Sequence, residues 1–288
     1  MRAISAAKIT DTVRGLCLQA NLVLRKDVLL ALKAAYARET QKRAKNILRA
    51  IIKNARIAQK EKLAICQDTG MACVFLEIGS NVKISGDLKR AINKGVESGY
   101  KKGFLRRSII KDPLSRGKPV YQPAIIHTEI VPGNKIKISL LPKGFGCENK
   151  TQLKMFRPTA KIAEIKNFIL SVVKSAGPDA CPPYIVGVGI GGTADYACFL
   201  AQKALLERVV RRPSSVVRSA IQNTQYGIRN LEQDLLKKIN QLNIGPMGLG
   251  GRATCLAVNI QAHPTHIAGL PVAVNISCHA LRSATKTL

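Results

Sequence analysis

Three side chains able to do chemistry stand in a row at Cys66, Gln67 and Asp68, ahead of a Thr69-Gly70 turn. The apolar run from Met71 to Ile78 that follows reads as a buried strand. A thiolate, an amide and a carboxylate on one loop can hold a soft metal centre and carry proton chemistry beside it. Cys181 and Cys278 occupy similar Gly/Pro-flanked stretches and would complete three ligands. Taken singly, each reads better as an ordinary structural thiol. Together they share one feature: each sits where an apolar segment meets a polar or Pro/Gly turn, as at the mouth of a sheet. Three thiolates suit an iron–sulfur cluster better than magnesium or calcium.

The other cysteines sort by context. Cys17, Cys73, Cys198 and Cys255 lie within apolar segments, where a thiol behaves as a small core residue. Cys147, flanked by Gly146 and Glu148, joins Cys66, Cys181 and Cys278 as a candidate. Eight cysteines in a chain of 288 residues, with no CxxC pair, argue against a disulfide scaffold and against a zinc ribbon. Among the four histidines, His127 and His263 read as ordinary surface or core residues, and His266, in Pro264-Thr265-His266, has the better claim to a binding loop. His279 directly follows Cys278 and could orient it. The stretch Gly187-Val188-Gly189-Ile190-Gly191-Gly192-Thr193 misses the dinucleotide spacing and has no Walker lysine. Anion binding by backbone N–H groups and close strand–helix packing explain it equally well.

The elements that must position these groups follow from periodicity. Residues 4–62 read as a helical region of three helices: Ile4 to Leu24, a second capped by Asp27, and a third from Glu39 to Lys60. Strands are expected around Val74–Ile78 and Val82–Ile84, then a helix from Asp87 to Lys102. Residues 123–142 alternate in two runs around Pro132-Gly133-Asn134, a hairpin pattern. A helix from Thr159 to Ala176, a strand over 184–192, a helix from Asp195 to Val210 broken at Arg212-Pro213, and a helix from Leu231 to Leu242 come next. Two apolar strands around the Pro264-Thr265-His266 loop finish the chain. The class is α/β, a helical N-terminal region followed by mixed β-sheets flanked by helices, read as a single domain over 1–288.

Composition narrows the function. With 46% hydrophobic residues and no low-complexity tract, the chain is globular. No apolar run approaches the ~18 residues of a membrane span, and the N-terminus lacks a signal-peptide pattern, so a cytoplasmic protein is expected. The net charge of +29 raises nucleic acid as a partner. Against it, the positive residues run from Arg2 to Lys286 without clustering in an arm, and aromatics for stacking bases are only 4%. A positive field would also draw in a small dianionic substrate.

The strings ICQDTG (65–70), LRRS (105–108), KGFGCENK (143–150), ACPPYIVGVGIGGT (180–193), GPMGLGG (245–251) and PTHIAGLPVAVNISCHA (264–280) carry a resemblance. From about residue 5 to 285 the chain resembles the iron–sulfur fumarate hydratases. It is most similar to the separate alpha subunit of the class I enzymes and of the related L-tartrate dehydratases. The resemblance implies a [4Fe-4S] cluster held by Cys66, Cys181 and Cys278, with one iron left open to a small dicarboxylate. It also implies Gln67 as a hydrogen-bonding group at the substrate and Asp68 as an acid–base or water-orienting group. Arg106 would clamp a carboxylate, with Arg107 as a competitor facing solvent. Gly146 and His266 would contact substrate, and His266 would join Gln67 and Asp68 in catalysis. Reversible hydration of fumarate to L-malate is the implied reaction, with tartrate dehydration as the alternative. Cys147 departs from the family pattern, which has serine there. The family's second half would come from a beta subunit on a separate chain.

Overall fold

The computed structural model describes residues 2–209 and 227–288. It divides into two compact units, one of Met1–Arg25, Asn54–Phe145 and Arg282–Leu288, the other of Lys26–Lys53 and Gly146–Leu281.

In the first unit the chain opens on a short strand, β1 (Arg2–Ser5), and enters α1 (Ala6–Leu22). The helix expected from Ile4 therefore starts later. Arg2 to Ser5 pair in parallel with β3 (Val82–Ser85), and the Ser5 hydroxyl caps α1 by accepting the Lys8 N–H at 3.3 Å. The helix α4 (Leu88–Lys102) starts as expected, with the Asp87 carboxylate accepting the Arg90 N–H at 2.9 Å. A four-stranded sheet runs in the order β10 (Ala284–Thr287), β5 (Ile136–Lys143), β2 (Met71–Gly79), β4 (Ile125–Val131). Residues 123–142 are thus not a hairpin. Strand β2 lies between the two runs, parallel to β4 and antiparallel to β5. The reason is burial. Strand β2 is apolar on both faces, so it takes a central place, and β4 and β5 flank it. The core joins Ile9, Val13, Leu16 and Cys17 of α1, Val74 and Leu76 of β2, Ile92 and Val96 of α4, and Ile136, Ile138 and Leu140 of β5.

In the second unit Asp27 is not a cap. It lies in the first turn of α2 (Lys26–Arg38), and its carboxylate accepts the Val209 N–H at 2.8 Å. Helix α3 (Lys42–Glu61), of which Lys42–Lys53 belong to this unit, begins three residues after Glu39, whose buried carboxylate takes the N–H groups of Thr40, Gln41 and Arg252. The short α5 (Phe145–Glu148) precedes β6 (Gln152–Phe156) and α6 (Ile162–Ala176). The strand β7 (Tyr184–Gly192) leads to α7 (Ala194–Ala204), and α8 (Ile228–Asn240) to β8 (Cys255–Thr265) and β9 (Leu270–Ser277). The break expected at Arg212-Pro213 lies outside the described residues. The sheet order is β6-β9-β7-β8, with β7 parallel to β8 and antiparallel to β9.

Alternation along β7 divides its two faces. Val186 and Val188 pack with Ile169 and Val173 of α6 and Leu235 and Ile239 of α8. Gly187 and Gly189 point the other way, where a Cβ would run into the carbonyl oxygens of Ala201 and Ala197 on α7. At those two positions the glycines serve close strand–helix packing.

Candidate functional site

In the first unit the loop before β2 is tied down at every step. The Ile65 N–H donates to the Asn21 carbonyl at 3.0 Å, and Asn54 Nδ2 donates to the Ile65 carbonyl at 2.9 Å. Cys66 follows, half-buried, with its thiol 3.4 Å from Gln67 Oε1. Gln67 is exposed. Asp68 is fixed by backbone donors on both oxygens: Oδ1 accepts the Gly70 N–H at 3.0 Å and Oδ2 the Phe145 N–H at 2.9 Å. A carboxylate so held has a set orientation, which an acid–base or water-orienting group needs.

Thr69, read from the sequence only as a turn residue, and Tyr100, which nothing in its context marked, extend this frame. The Thr69 hydroxyl, 2% exposed, accepts the Arg106 N–H at 3.0 Å and lies 3.4 Å from the Arg106 carbonyl. The arginine is thereby docked onto the Cys66–Gly70 loop across 37 residues of sequence. Its side chain is exposed, while the Arg107 guanidinium sits 5.2 Å from the Tyr121 ring centre. The Tyr100 hydroxyl lies 3.0 Å from the carbonyls of both Thr69 and Gly70. Burial pushes the Tyr100 phenol well above its ordinary range, so it stays a donor.

In the second unit antiparallel pairing brings two of the cysteines together. Cys181 precedes the start of β7 and Cys278 follows the end of β9, and in that register Ile185 faces Ser277. Both loops therefore emerge at one end of the sheet. The His279 N–H reaches the Cys181 carbonyl at 3.4 Å and its Nδ1 lies 2.9 Å from the same oxygen. A carbonyl oxygen only accepts, so Nδ1 carries the proton. Cys181 has φ +56, a left-handed conformation that costs an ordinary residue about 1–2 kcal/mol. Its neighbours hold it there. Its own N–H bonds to the Pro178 carbonyl at 3.1 Å, the Tyr184 hydroxyl donates to the Gly177 carbonyl, and Lys150 pairs with Asp179 at 2.9 Å. The Cys147 thiol, buried, lies 3.4 Å from the Ala180 carbonyl and braces the same loop.

Gly146 lies in α5, where a Cβ would meet nothing nearer than the Asp179 carbonyl at 3.9 Å. His266 stands apart from the cysteines of its unit. It lies in the exposed turn between β8 and β9, its Nδ1 accepting the Ala268 N–H at 3.2 Å. The length of β9 separates it from Cys278, and eight strand residues span roughly 27 Å.

All eight cysteines are thiols, with no disulfide. Cys17 and Cys255, fully buried, have their pKa pushed up to about 12 by loss of solvation, so they stay protonated. Cys198 is also raised, by burial first and then by the charges of Asp195 and Glu148. The half-buried Cys66, Cys181 and Cys278 are the ones on structured loops at strand ends. Among the described residues no three His, Cys, Asp or Glu side chains come together as a single metal ion would need. A cluster of several irons differs, because it takes one thiolate on each of three metals and so spreads its ligands. Cys66 in the first unit, and Cys181 and Cys278 in the second, are each soft donors of the kind such a group takes.

Comparison with known proteins agrees with the motifs. The fumarate hydratase (fumerase) family model matches residues 10–287. A protein of Methanocaldococcus jannaschii, provisionally named L(+)-tartrate dehydratase subunit alpha, is 41% identical over 98% of both chains. The L(+)-tartrate dehydratase subunit alpha of Escherichia coli strain K12 is 28% identical over 96% of this chain and 90% of its own. With its motifs in order and the match running over nearly its whole length, this chain belongs to the fumarate hydratase family of hydro-lyases.

Proposed function

We propose that the chain is the alpha subunit of a [4Fe-4S]-dependent hydro-lyase that reversibly hydrates fumarate to L-malate, with Cys66, Cys181 and Cys278 as cluster ligands. The observation that carries this reading is the joining of the Cys181 and Cys278 loops through His279, which sets two soft donors at one sheet end. When bound, the cluster supplies a Lewis-acidic iron for a substrate carboxylate and hydroxyl.

The chain's own residues do the rest. Asp68, its oxygens fixed by the Gly70 and Phe145 N–H groups, exchanges a proton or orients water. Gln67, exposed beside Cys66, hydrogen-bonds substrate. Arg106, docked through Thr69, clamps a carboxylate by a bidentate contact, and the open space at Gly146 admits the ligand. His266 lies the length of β9 from Cys278, so we assign its contribution to a second copy of the chain reaching across to this one.

A second reading, L-tartrate dehydration, is favoured by the names of the two relatives. Because those names specify an alpha subunit, we further propose a beta subunit on a separate chain, which supplies the remaining groups for the dicarboxylate. Among the described residues no helix is long and apolar enough to cross a membrane. Eight thiols without a disulfide suit a reducing cytoplasm.

The test is anaerobic reconstitution of the chain with its partner, followed by assays on fumarate, L-malate and L-tartrate. Replacing Cys66, Cys181 or Cys278 by Ser should each abolish the broad absorbance near ~400 nm typical of iron–sulfur sites and the activity, while Cys198→Ser keeps both. Full cluster retention in all three variants would overturn the ligand assignment. Turnover of tartrate alone would select the second reading.

A further inference from the structure

Arg282 has no part in the mechanism above, yet it is 4% exposed in the first unit. Among the described residues of that unit the buried charged side chains are Lys143 and Arg282, and both are cations. A fold tolerates a buried guanidinium only where something answers its charge. Its Nη1 donates to Asn21 Oδ1 at 3.3 Å, and its Nε has no hydrogen-bond partner among the described residues. Asn21, wholly buried, passes the connection on: its Nδ2 donates to the Cys17 carbonyl at 3.0 Å and its own carbonyl accepts the Ile65 N–H at 3.0 Å.

A carboxylate, that of Asp68, borders the same residue as the guanidinium, Gly144. Gly144 marks the spot, because the point where a Cβ of that residue would sit is 3.0 Å from Asp68 Oδ2 and 3.5 Å from Arg282 Nη2. The guanidinium and the carboxylate thus both border the space that the missing side chain leaves open. A side chain at residue 144 would crowd Asp68 Oδ2 and come into contact with Arg282.

We propose that Arg282 is a positioning residue for Asp68. Through Asn21 it anchors the residue before Cys66, and from behind Gly144 it holds a fixed positive charge toward the Asp68 carboxylate. Arg282 is too deeply buried to meet substrate itself. It acts on the reaction through Asp68, and the inference rests on the reading of Asp68 as the acid–base group. A catalytic group displaced by about 1 Å can lose on the order of 100-fold in rate.

The test uses the reconstituted complex of this chain with its partner. Arg282→Met removes the charge at similar volume, and Arg282→Lys keeps a cation. Arg282→Met should lower kcat by about 10- to 100-fold with KM changed less than about 3-fold, and Arg282→Lys should recover most of that loss. In hydrogen exchange on the isolated chain, the Gly70 and Phe145 amides that bond Asp68 should lose protection in Arg282→Met and keep it in Arg282→Lys. A raised KM with unchanged kcat overturns the proposal, since Arg282 would then bind substrate directly. Equal losses in both variants, or none in either, also overturn it. Asp68→Asn separates the two levels: if it stays fully active the underlying reading fails. If it is dead while Arg282→Met turns over normally, only the present inference fails.

Discussion

The Nδ1 of His279 lies 2.9 Å from the carbonyl oxygen of Cys181, two residues 98 apart in sequence. This bond links the turn after β9 to the turn before β7, and so links two of the proposed cluster ligands. One hydrogen bond contributes about 0.5–1.5 kcal/mol, up to roughly tenfold in an equilibrium constant. His279→Ala should therefore speed loss of the ~400 nm absorbance to a chelator several-fold, read anaerobically after reconstitution. His279→Asn, which keeps a donor at a similar reach, should slow it again. Identical rates in all three proteins would show that the bond does not hold the loop.

The two adjacent arginines should separate in kinetics. Charge-assisted bonds contribute about 1.5–3 kcal/mol, so Arg106→Gln should raise KM or lower kcat/KM by roughly 10- to 150-fold. Arg107, stacked on Tyr121, should tolerate the same change within about 3-fold. The reverse ranking would move the carboxylate clamp to Arg107.

The buried thiols predict alkaline behaviour. Folding raises Cys17 and Cys255 from 9.0 to about 12, so the fold favours their neutral form. Their contribution is fully present below pH 9.0 and is lost as pH rises toward about 12. Unfolding midpoints in urea should fall across that window, and Cys17→Ala should flatten the fall while lowering stability at neutral pH. In the folded apo-protein at neutral pH, iodoacetamide mass mapping should label Cys66, Cys181 and Cys278 before Cys17 and Cys255.

Helix α7 should be intolerant of bulk beneath it. A methyl at Gly189 would overlap the Ala197 carbonyl, and overpacking costs about 1–3 kcal/mol. Gly189→Ala should lower the urea midpoint accordingly, whereas Gly15→Ala in α1 should not lower it, because open space surrounds Gly15 and alanine is the better helix former. An unaffected Gly189→Ala protein would mean that α7 shifts freely on the sheet.

A hybrid experiment checks His266. Asp68→Asn and His266→Ala chains, each inactive alone, should regain part of the activity when co-assembled, because one intact site forms when the two residues come from different copies. No recovery would confine both to one chain.

Much of this was legible in the residues themselves. The α/β class, the strand after Gly70 and the helix beginning at Asp87 follow from local periodicity, which depends on neighbours a few positions away. Local context separated Cys66, Cys181 and Cys278 from Cys17, Cys73 and Cys255, but it grouped the half-exposed Cys198 with the core thiols and the buried Cys147 with the candidates. Pairing was another matter. Residues 123–142 carry a hairpin pattern, yet β2 inserts between its arms, since which strand lies centrally depends on burial over both faces and not on the turn. The glycines of β7 were ambiguous until Ala197 and Ala201 stood against them. Arg282 gave no signal in sequence, because its meaning lies in Asn21, Gly144 and Asp68, which only tertiary packing brings to it. The distance from His266 to Cys278 was equally hidden: twelve positions count as near along a chain, but an extended strand turns them into the length of a sheet, placing the two at opposite ends.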